Sequence, residues 1–273
     1  MSGPFISFLT DFGPDGPAPI CRGVMLSIAP DARIVDIGHH VRKYAIRDGA
    51  FLFWCALPFF PVGVAVGVVD PGVGTKRRPI AIRTGRGDRL VGPDNGLFIP
   101  VSERLGGIAE ARVLENRDYW LPSATSSTFH GRDIFSPVGA HLAMGADFAS
   151  LGPELAAADL IQLHLPAATA HDGWLETGIS SIDSFGNCRL GGVPADLARA
   201  IGQLEPGRRL AVEIGAVASP VGATWELTFG EVALGATILY EDSFGTISFA
   251  DNQGDVSDRL GLAVDQPVRI RAA

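Results

Sequence analysis

Runs of apolar residues in the first half of the chain predict buried strands that alternate with helices. Residues 63–69 are apolar apart from glycine and show no alternation of period two, as expected of a strand that is covered on both faces. Residues 5–9 and 89–91 have the same apolar character. Three segments carry helical patterns: residues 20–28, 44–57 and 133–144. Strands that alternate with helices predict an α/β domain with a mainly parallel central sheet.

The pattern changes after about residue 165. Residues 166–173 have the composition of a linker between domains. Beyond them, short segments with β-branched and aromatic residues recur between turns, as at residues 225–229 and 236–240, which predicts a smaller antiparallel barrel or sandwich. Two short helices are also predicted, at residues 194–204 and 255–260. The expected domains are residues 1–165 and residues 174–273.

An acidic residue stands beside a glycine or proline turn where each strand of the first half ends. Asp11 follows the first strand, Asp70 the second and Asp94 the third. In open α/β sheets, ligands bind at the carboxyl ends of the strands. Asp70 is also followed by a glycine-rich turn and by Arg77. The sequence therefore predicts an active-site edge where these strands end.

Composition narrows the class of protein. The chain has 273 residues, of which 47% are hydrophobic and 19% charged, so it is globular rather than disordered. Its formal net charge of -8 gives no basic footprint for nucleic acid. Cys21, Cys55 and Cys188 share no metal-like spacing and are typical of reduced thiols. Neither a signal peptide nor a membrane span is predicted, so we expect a cytoplasmic protein.

Taken one at a time, the polar motifs have ordinary structural explanations. Asp70 followed by Pro-Gly is a common turn composition. The glycine spacing around it fails as a P-loop because Val73 occupies the lysine position. His130 could simply be a helix-entry residue. His39 and His40 look like a metal-binding pair, but no third ligand is suggested locally, so structural hydrogen bonding is the favoured interpretation.

A second candidate site lies in the second half of the chain. Asp183, Phe185 and Asn187 bring a carboxylate, an aromatic ring and an amide into five positions. Such a set suits a nucleoside or an amino acid, because the ring can stack while the polar groups hold hydroxyl or ammonium groups. A hairpin loop with a buried phenylalanine explains the segment almost as well.

Together, the motifs resemble the S-adenosylmethionine hydroxide adenosyltransferase family, the hydrolytic relatives of the fluorinase and chlorinase. The resemblance runs in order through nearly the whole chain: residues 9–13, 69–77, 93–96, 129–133, 183–187, 243–245 and 252–254. It implies an N-terminal α/β domain, a C-terminal β-barrel domain and a homotrimer with sites between neighbouring subunits. The implied reaction converts S-adenosylmethionine and water to adenosine and methionine, so S-adenosylmethionine is the substrate, with no separate cofactor and no metal.

The resemblance also assigns residues. The family's catalytic set falls on Asp70, Arg77 and His130. Asp11 falls where the family holds the ribose hydroxyls, and Tyr44 falls at an aromatic position of the nucleoside pocket. Four residues fall at positions associated with adenine and the methionine moiety: Asp183, Phe185, Asn187 and Ser243. The other residues predicted to bind substrate lie in or near the same motifs: Asp94, Asn95, Gly131, Phe244, Asp251 and Gln253.

Two other functions stay open at the level of sequence. One is a halogenase that attacks the same carbon with chloride or fluoride, although Asp70 would repel a halide and the fluorinase's insertion before its counterpart of residues 93–96 is missing. The other is a nucleoside- or S-adenosylmethionine-binding protein without turnover. The loop at residues 14–19 keeps that alternative open, because it is one residue shorter than the family pattern and offers Asp15 as a substitute acid.

Overall fold

The computed structural model describes residues 3–14, 16–122, 126–215 and 217–273. Its backbone contacts divide the chain into two compact units, with the boundary between Leu163 and His164. Asp15, the substitute acid of the shortened loop, lies outside the described residues. Within the described ranges, no helix combines the length and the apolar character needed to cross a membrane.

The first unit is built on a six-stranded sheet with strand order β2-β1-β3-β5-β4-β6. The strands are β1 (Phe5–Thr10), β2 (Arg33–Gly38), β3 (Val64–Val68), β4 (Pro79–Thr84), β5 (Arg89–Pro93) and β6 (Ile108–Val113). The α-helices are α1 (Ala18–Ile28), α2 (Ile46–Ala56), α3 (Ile99–Arg104) and α4 (Ser136–Ala143).

The sheet of the first unit is rich in parallel pairs, which confirms the predicted α/β class. β2, β1, β3 and β5 run parallel, whereas β4 pairs antiparallel with both β5 and β6. The sequence patterns predict β1, β3 and β5 but miss the other three strands. β2 escapes notice because most of its residues are exposed or half-buried, so it lacks a continuous apolar run.

Apolar layers cover both faces of this sheet. In β3, Val64, Val66 and Val68 face the layer that includes α1 and α4, while Ala65 faces the layer that includes α2 and α3. All five residues of β3 are buried, as the apolar run predicts. Gly67 lies where a Cβ atom would come within 3 Å of the rings of Phe53 and Phe98, so glycine here permits close packing.

Three predicted helix starts are wrong by two or three residues, and the first of these helices begins at Ala18 rather than at residue 20. The helix predicted from residue 44 begins at Ile46, because Tyr44 has a φ of 68°, which no right-handed helix accommodates. The helix predicted from residue 133 begins at Ser136, and the preceding residues, Gly131–Phe135, form a π-helical turn. Pro137 stands in the first turn of α4.

The second unit contains a closed β-barrel, which confirms the predicted barrel. Its strand order is β14-β10-β11-β12-β13-β9-β8, closed by pairing of β14 with β8, and β7 extends the sheet from β8. The strands are β7 (Thr169–His171), β8 (Trp174–Ile182), β9 (Cys188–Leu190), β10 (Arg208–Ile214), β11 (Val221–Trp225), β12 (Thr237–Glu241), β13 (Ile247–Asp251) and β14 (Pro267–Ala272). The pairs are antiparallel except β11 with β12, which run parallel.

Details of the second unit differ from the sequence prediction. The strand expected at residues 225–229 instead ends at Trp225, and Leu227 beyond it is exposed. The residues after Trp225 therefore belong to a connection rather than to a strand. The segment predicted as a linker includes β7. Two helices occur near their predicted places, α5 (Pro194–Ile201) and α6 (Val256–Leu260).

Candidate active site

Two carboxylates leave the sheet at the same edge, where β1 and β3 end side by side. Thr10 pairs with Val68 in the parallel ladder, and the Asp11 N–H donates to the Val68 carbonyl oxygen at 3.3 Å. Asp11 and Asp70 therefore leave the same edge of the sheet. Because parallel strands present their carboxyl ends together, the sequence prediction of a polar edge here follows from the topology.

Asp70, Arg77 and His130 form one hydrogen-bonded array. Arg77 Nε donates to Asp70 Oδ1 at 3.1 Å, and Arg77 Nη2 donates to Asp70 Oδ2, which makes the ion pair bidentate. Arg77 Nη2 also lies 3.0 Å from His130 Nδ1. The ion pair is nearly buried, with side-chain exposures of 7% for Arg77 and 5% for Asp70. The guanidinium further packs over the ring of Phe135 at 5.2 Å.

Burial shapes the protonation of this array. It raises the pKa of Asp70 above its ordinary value, and the positive charge and hydrogen bonds of Arg77 offset only part of that rise. Burial, reinforced by the charge of Arg77, lowers the pKa of His130 below its ordinary value. A guanidinium stays protonated at all working pH values. At neutral pH the imidazole is therefore neutral, and its Nδ1 accepts a hydrogen bond from Arg77.

The turn after Asp70 brings Arg77 back to the carboxylate. The Thr75 hydroxyl donates to the Gly72 carbonyl oxygen at 2.7 Å and accepts the Arg77 N–H at 3.3 Å. Gly74 has a φ of 76°, and a Cβ atom there would overlap the Ser127 carbonyl oxygen. Only glycine combines that backbone conformation with so close an approach.

His130 and Gly131 lie at the entrance to the π-helical turn. Gly131 is closely packed, since a Cβ atom there would stand 3.0 Å from the ring of Phe12. The turn is held by Asp133, which is buried, accepts the Ser126 N–H at 2.7 Å and pairs with Arg132. π-helical turns are rare and concentrate at functional sites.

Asn95 and Asp94 support the array from the next strand end. Asn95 Nδ2 donates to the Val69 carbonyl oxygen at 2.8 Å, immediately before Asp70. Asp94 is buried, accepts from Arg78 Nε at 2.8 Å and accepts the Ile161 N–H at 2.9 Å. Both side chains are therefore bound to protein groups that frame the site, and Arg78 is a member of this frame that sequence reasoning did not single out.

Tyr44 is held in an uncommon conformation next to Asp11. Its φ of 68° lies in the left-handed region, and its N–H donates to Asp11 Oδ2 at 3.1 Å. Its side chain is exposed. Gln253 in the second unit shares the left-handed conformation, with a φ of 55°. Backbone of this kind clusters at binding sites, and substrate contact by both residues stays a prediction.

Asp11, Asp70 and His130 line a cavity of about 60 Å³ in the first unit. Phe12, Thr128 and Gly131 are among its other lining residues. This volume holds a few water molecules but not an adenosyl group. Among the described residues, at this site or any other, no group of three or more His, Cys, Asp or Glu side chains has a geometry able to hold a metal ion.

Two hairpins of the second unit carry the other predicted residues, and they are built alike. Asp183 Oδ1 accepts the N–H groups of Phe185 and Asn187, and Asp183 Oδ2 accepts from Asn187 Nδ2. Asp242 Oδ1 accepts the N–H groups two and four residues further on in the same way. The sequence Asp-Ser-Phe-Gly occurs twice, at residues 183–186 and 242–245, and both copies form the same loop structure.

The strands that follow the two hairpins, β9 and β13, pair antiparallel in the barrel. Phe185 is exposed, in contrast to the alternative of a buried loop phenylalanine, whereas Phe244 is half-buried. Arg189 bonds Asp242 and Ser181 and lies over the Phe244 ring at 5.0 Å. Sequence reasoning missed Arg189 and Asp242, although the repeated tetrapeptide is a signal that could have found Asp242.

The remaining predicted residues of the second unit differ in how they are held. Ser243 and Gln253 are exposed. Asp251 is buried, and both of its oxygens accept from Arg259, while Oδ1 also accepts from the Thr237 hydroxyl at 2.6 Å. Asp251 therefore fixes the end of β13 through protein contacts.

Comparison with known proteins supports the family resemblance that the sequence motifs indicate. The chain matches the family model of the SAM hydroxide adenosyltransferase N-terminal domain over residues 6–152 and that of the C-terminal domain over residues 177–269. It is 39% identical over 270 residues to an (R)-S-adenosyl-L-methionine hydrolase of Salinispora tropica, covering 98% of each chain. A crystal structure of an uncharacterized conserved protein from Thermotoga maritima aligns with a TM-score of 0.88 and 32% identity, covering 97% of this chain and 99% of that one. A fluorinase of Actinopolyspora mzabensis is more distant, at 26% identity over 296 residues, covering 98% of this chain and 97% of that protein.

Proposed function

The chain belongs to the SAM hydroxide adenosyltransferase family, and on that premise we propose that it hydrolyses S-adenosyl-L-methionine to adenosine and L-methionine. The observation that carries the proposal is the buried Asp70–Arg77–His130 array beside a cavity of about 60 Å³ at the end of β3. Relatives at 36–39% identity over nearly the whole chain are named as hydrolases of this substrate.

The chemistry requires an activated water molecule more than an acid. The sulfonium makes methionine a good leaving group, so the C5′–S bond can break without protonation of sulfur. The oxygen of water forms a bond to C5′ as the C5′–S bond breaks, and the electron pair of that bond goes to sulfur. The protein must therefore hold one water molecule in line with that bond and remove a proton from it.

Hydrogen bonding within the array favours Asp70 as the proton acceptor. Arg77 is already protonated and cannot accept. His130 accepts the Arg77 N–H at Nδ1, so in its neutral form Nε2 carries the hydrogen and acts as a donor. Asp70 keeps lone pairs beyond those that Arg77 occupies, and burial raises its pKa toward the range of a general base. His130 and Arg77 then orient the water, and Asp70 takes its proton.

Arg77 offers one further donor. Its Nη1 is buried and has no hydrogen-bond partner among the residues described. A buried N–H without an acceptor is unfavourable by about 1–3 kcal/mol. Arg77 is not among the residues that line the cavity, so this N–H would reach a substrate oxygen only if the adjoining side chains moved.

Halogenation is the less favoured alternative. A halide would have to approach a buried carboxylate, whose negative charge repels an anion but suits a water molecule. Fluorinases are also more distant relatives, at 26–28% identity, than the hydrolases. A binding protein without turnover has no use for a buried acid, guanidinium and imidazole that share hydrogen bonds, so the array argues against that role too.

The proposal extends to stereochemistry and assembly. The hydrolase relatives are named for the (R) epimer, so the same configuration at sulfur is the proposed substrate here. The cavity of the first unit is too small for an adenosyl group, which supports a composite site in a homotrimer. No cofactor beyond substrate and water enters the reaction. Cys21, Cys55 and Cys188 are buried and form no disulfide bond, in keeping with a reducing cytoplasm.

A chromatographic assay tests the proposed function. The purified protein is incubated with each sulfonium epimer of S-adenosyl-L-methionine, with and without added chloride or fluoride. We expect adenosine and methionine in equal amounts, at a rate that the halide does not change and faster for the (R) epimer. His130→Ala should lower the rate. A halogenated nucleoside as the main product would establish the halogenase instead, and saturable binding without product would establish the binding protein.

A further inference from the structure

His39 is hydrogen-bonded to the turn that carries Asp11. It follows β2, whose end lies beside the end of β1 in the sheet. His39 Nδ1 lies 2.9 Å from the hydroxyl oxygen of Thr10, which in turn accepts the Phe12 N–H at 3.3 Å. The His39 carbonyl oxygen accepts the Gly13 N–H at 2.8 Å. One residue thus bonds both ends of the turn at residues 10–13.

The surroundings of His39 orient its ring. Nε2 lies 3.2 Å from Asp36 Oδ1, and Asp36 pairs with Arg22. Nε2 has no hydrogen-bond partner among the described residues, so its contact with Asp36 is not a hydrogen bond. Nδ1 and the Thr10 hydroxyl share one hydrogen bond, and the tautomer of the imidazole decides which of the two donates. The Phe8 ring meets the imidazole edge to face at 5.0 Å.

The turn held by His39 forms one wall of the cavity at the array. Asp11 and Phe12 line that cavity together with Asp70 and His130, whereas His39 does not. Any influence of His39 on the site therefore passes through the turn. Thr10 is fully buried, so no solvent can replace the bond between its hydroxyl and the imidazole.

We propose that His39 is a positioning residue, whose bond to Thr10 fixes Asp11 and Phe12 in the conformation that binds the nucleoside part of the substrate. The inference rests on the proposed function, since it presumes that the adenosyl group of S-adenosyl-L-methionine binds against this turn. Asp70 is carried by the adjacent strand β3 and not by this turn. Loss of the bond should therefore weaken substrate binding and spare the chemical step.

Substitutions that place a polar atom at the position of one ring nitrogen or the other test whether His39 affects substrate binding but not the chemical step. Asparagine places an amide near the Nδ1 position and keeps the bond to Thr10, whereas glutamine reaches the Nε2 position and loses it. We expect His39→Gln to raise KM about tenfold, with kcat within about twofold of wild type, because one buried hydrogen bond is lost. His39→Asn should restore KM to within about threefold. His40→Asn is the matched control, since His40 is adjacent and exposed, and should leave both constants unchanged.

A second pair of variants, at Thr10, tests the same hydrogen bond even if the His39 variants misfold. Thr10→Val removes the hydroxyl at nearly constant volume, and Thr10→Ser keeps it. Thr10→Val should raise KM as His39→Gln does, Thr10→Ser should not, and the effects of Thr10→Val and His39→Gln should not add in the double variant. The inference would be overturned if KM were unchanged in both Thr10→Val and His39→Gln, or if the effects of these two substitutions on KM added. It would also be overturned if His39→Asn and His39→Gln raised KM equally. Absence of turnover in the wild type would instead refute the proposed function, which keeps the two failures distinct.

Discussion

Asp70→Asn is the perturbation that most sharply separates catalysis from folding at this site. Asparagine keeps the shape of the side chain and one acceptor oxygen, but it removes the negative charge and turns an N–H₂ group toward Arg77. A general base contributes about 10²- to 10⁴-fold to rate. We therefore expect kcat to fall by about that factor, which corresponds to about 3–5 kcal/mol of activation free energy.

The same substitution also reports on the buried ion pair. The Arg77 side chain is 7% exposed, so its charge would stay buried without a counter-ion. Removing one partner of such a pair lowers the free energy of unfolding by about 3–5 kcal/mol. Urea denaturation measures this loss, and the chromatographic assay, run well below the denaturation midpoint, measures kcat of the folded enzyme.

Asp88→Asn provides the matched control. Asp88 is also buried and also forms a bidentate pair with an arginine, Arg86, but it lies outside the array. It should lower stability by a few kcal/mol or less and leave kcat within about twofold. The reasoning would be refuted if Asp70→Asn kept more than a tenth of wild-type kcat, or if Asp88→Asn reduced kcat as strongly as Asp70→Asn.

Two further predictions follow from the site. The pKa of Asp70 is raised above its ordinary 3.8 by burial, and Asp70 must be deprotonated to act, so kcat/KM should fall on acidification with a midpoint above 3.8. A pH–rate profile that was flat down to pH 4 would contradict this assignment. Arg189→Met should lower the free energy of unfolding by about 3 kcal/mol, because Asp242 would lose its buried counter-ion, and urea denaturation measures that change. It should also raise KM through the Phe244 loop, and an unchanged KM would remove that loop from the substrate site.

The sequence predicts the edge of the sheet that carries the array, because apolar runs followed by an acid and a turn identify strand ends. It does not predict how Arg77 reaches Asp70. That contact depends on the left-handed conformation of Gly74 and on the hydroxyl of Thr75, which bonds the turn internally. Such geometry becomes apparent only when the whole turn is folded against Ser127, more than fifty residues further along the chain.

Other misses have equally local causes. The apolar spacing around Tyr44 continues a helical pattern, but the hydrogen bond from its N–H to Asp11 accompanies a left-handed backbone that ends the pattern. The β-branched and aromatic residues at 225–229 predict a strand, yet β11 ends at Trp225 and Leu227 remains exposed. At Tyr44, a contact distant in sequence overrides the local preference.

Hydrolysis in ¹⁸O-labelled water tests the central claim most directly. Three carbons are bonded to the sulfonium sulfur, and the account requires that water attack only C5′. Mass spectrometry should then find one ¹⁸O atom in the 5′-hydroxyl of adenosine and none in methionine. Label in homoserine, with methylthioadenosine as its partner product, would place the attack on the other side of sulfur and contradict the role assigned to Asp70, Arg77 and His130.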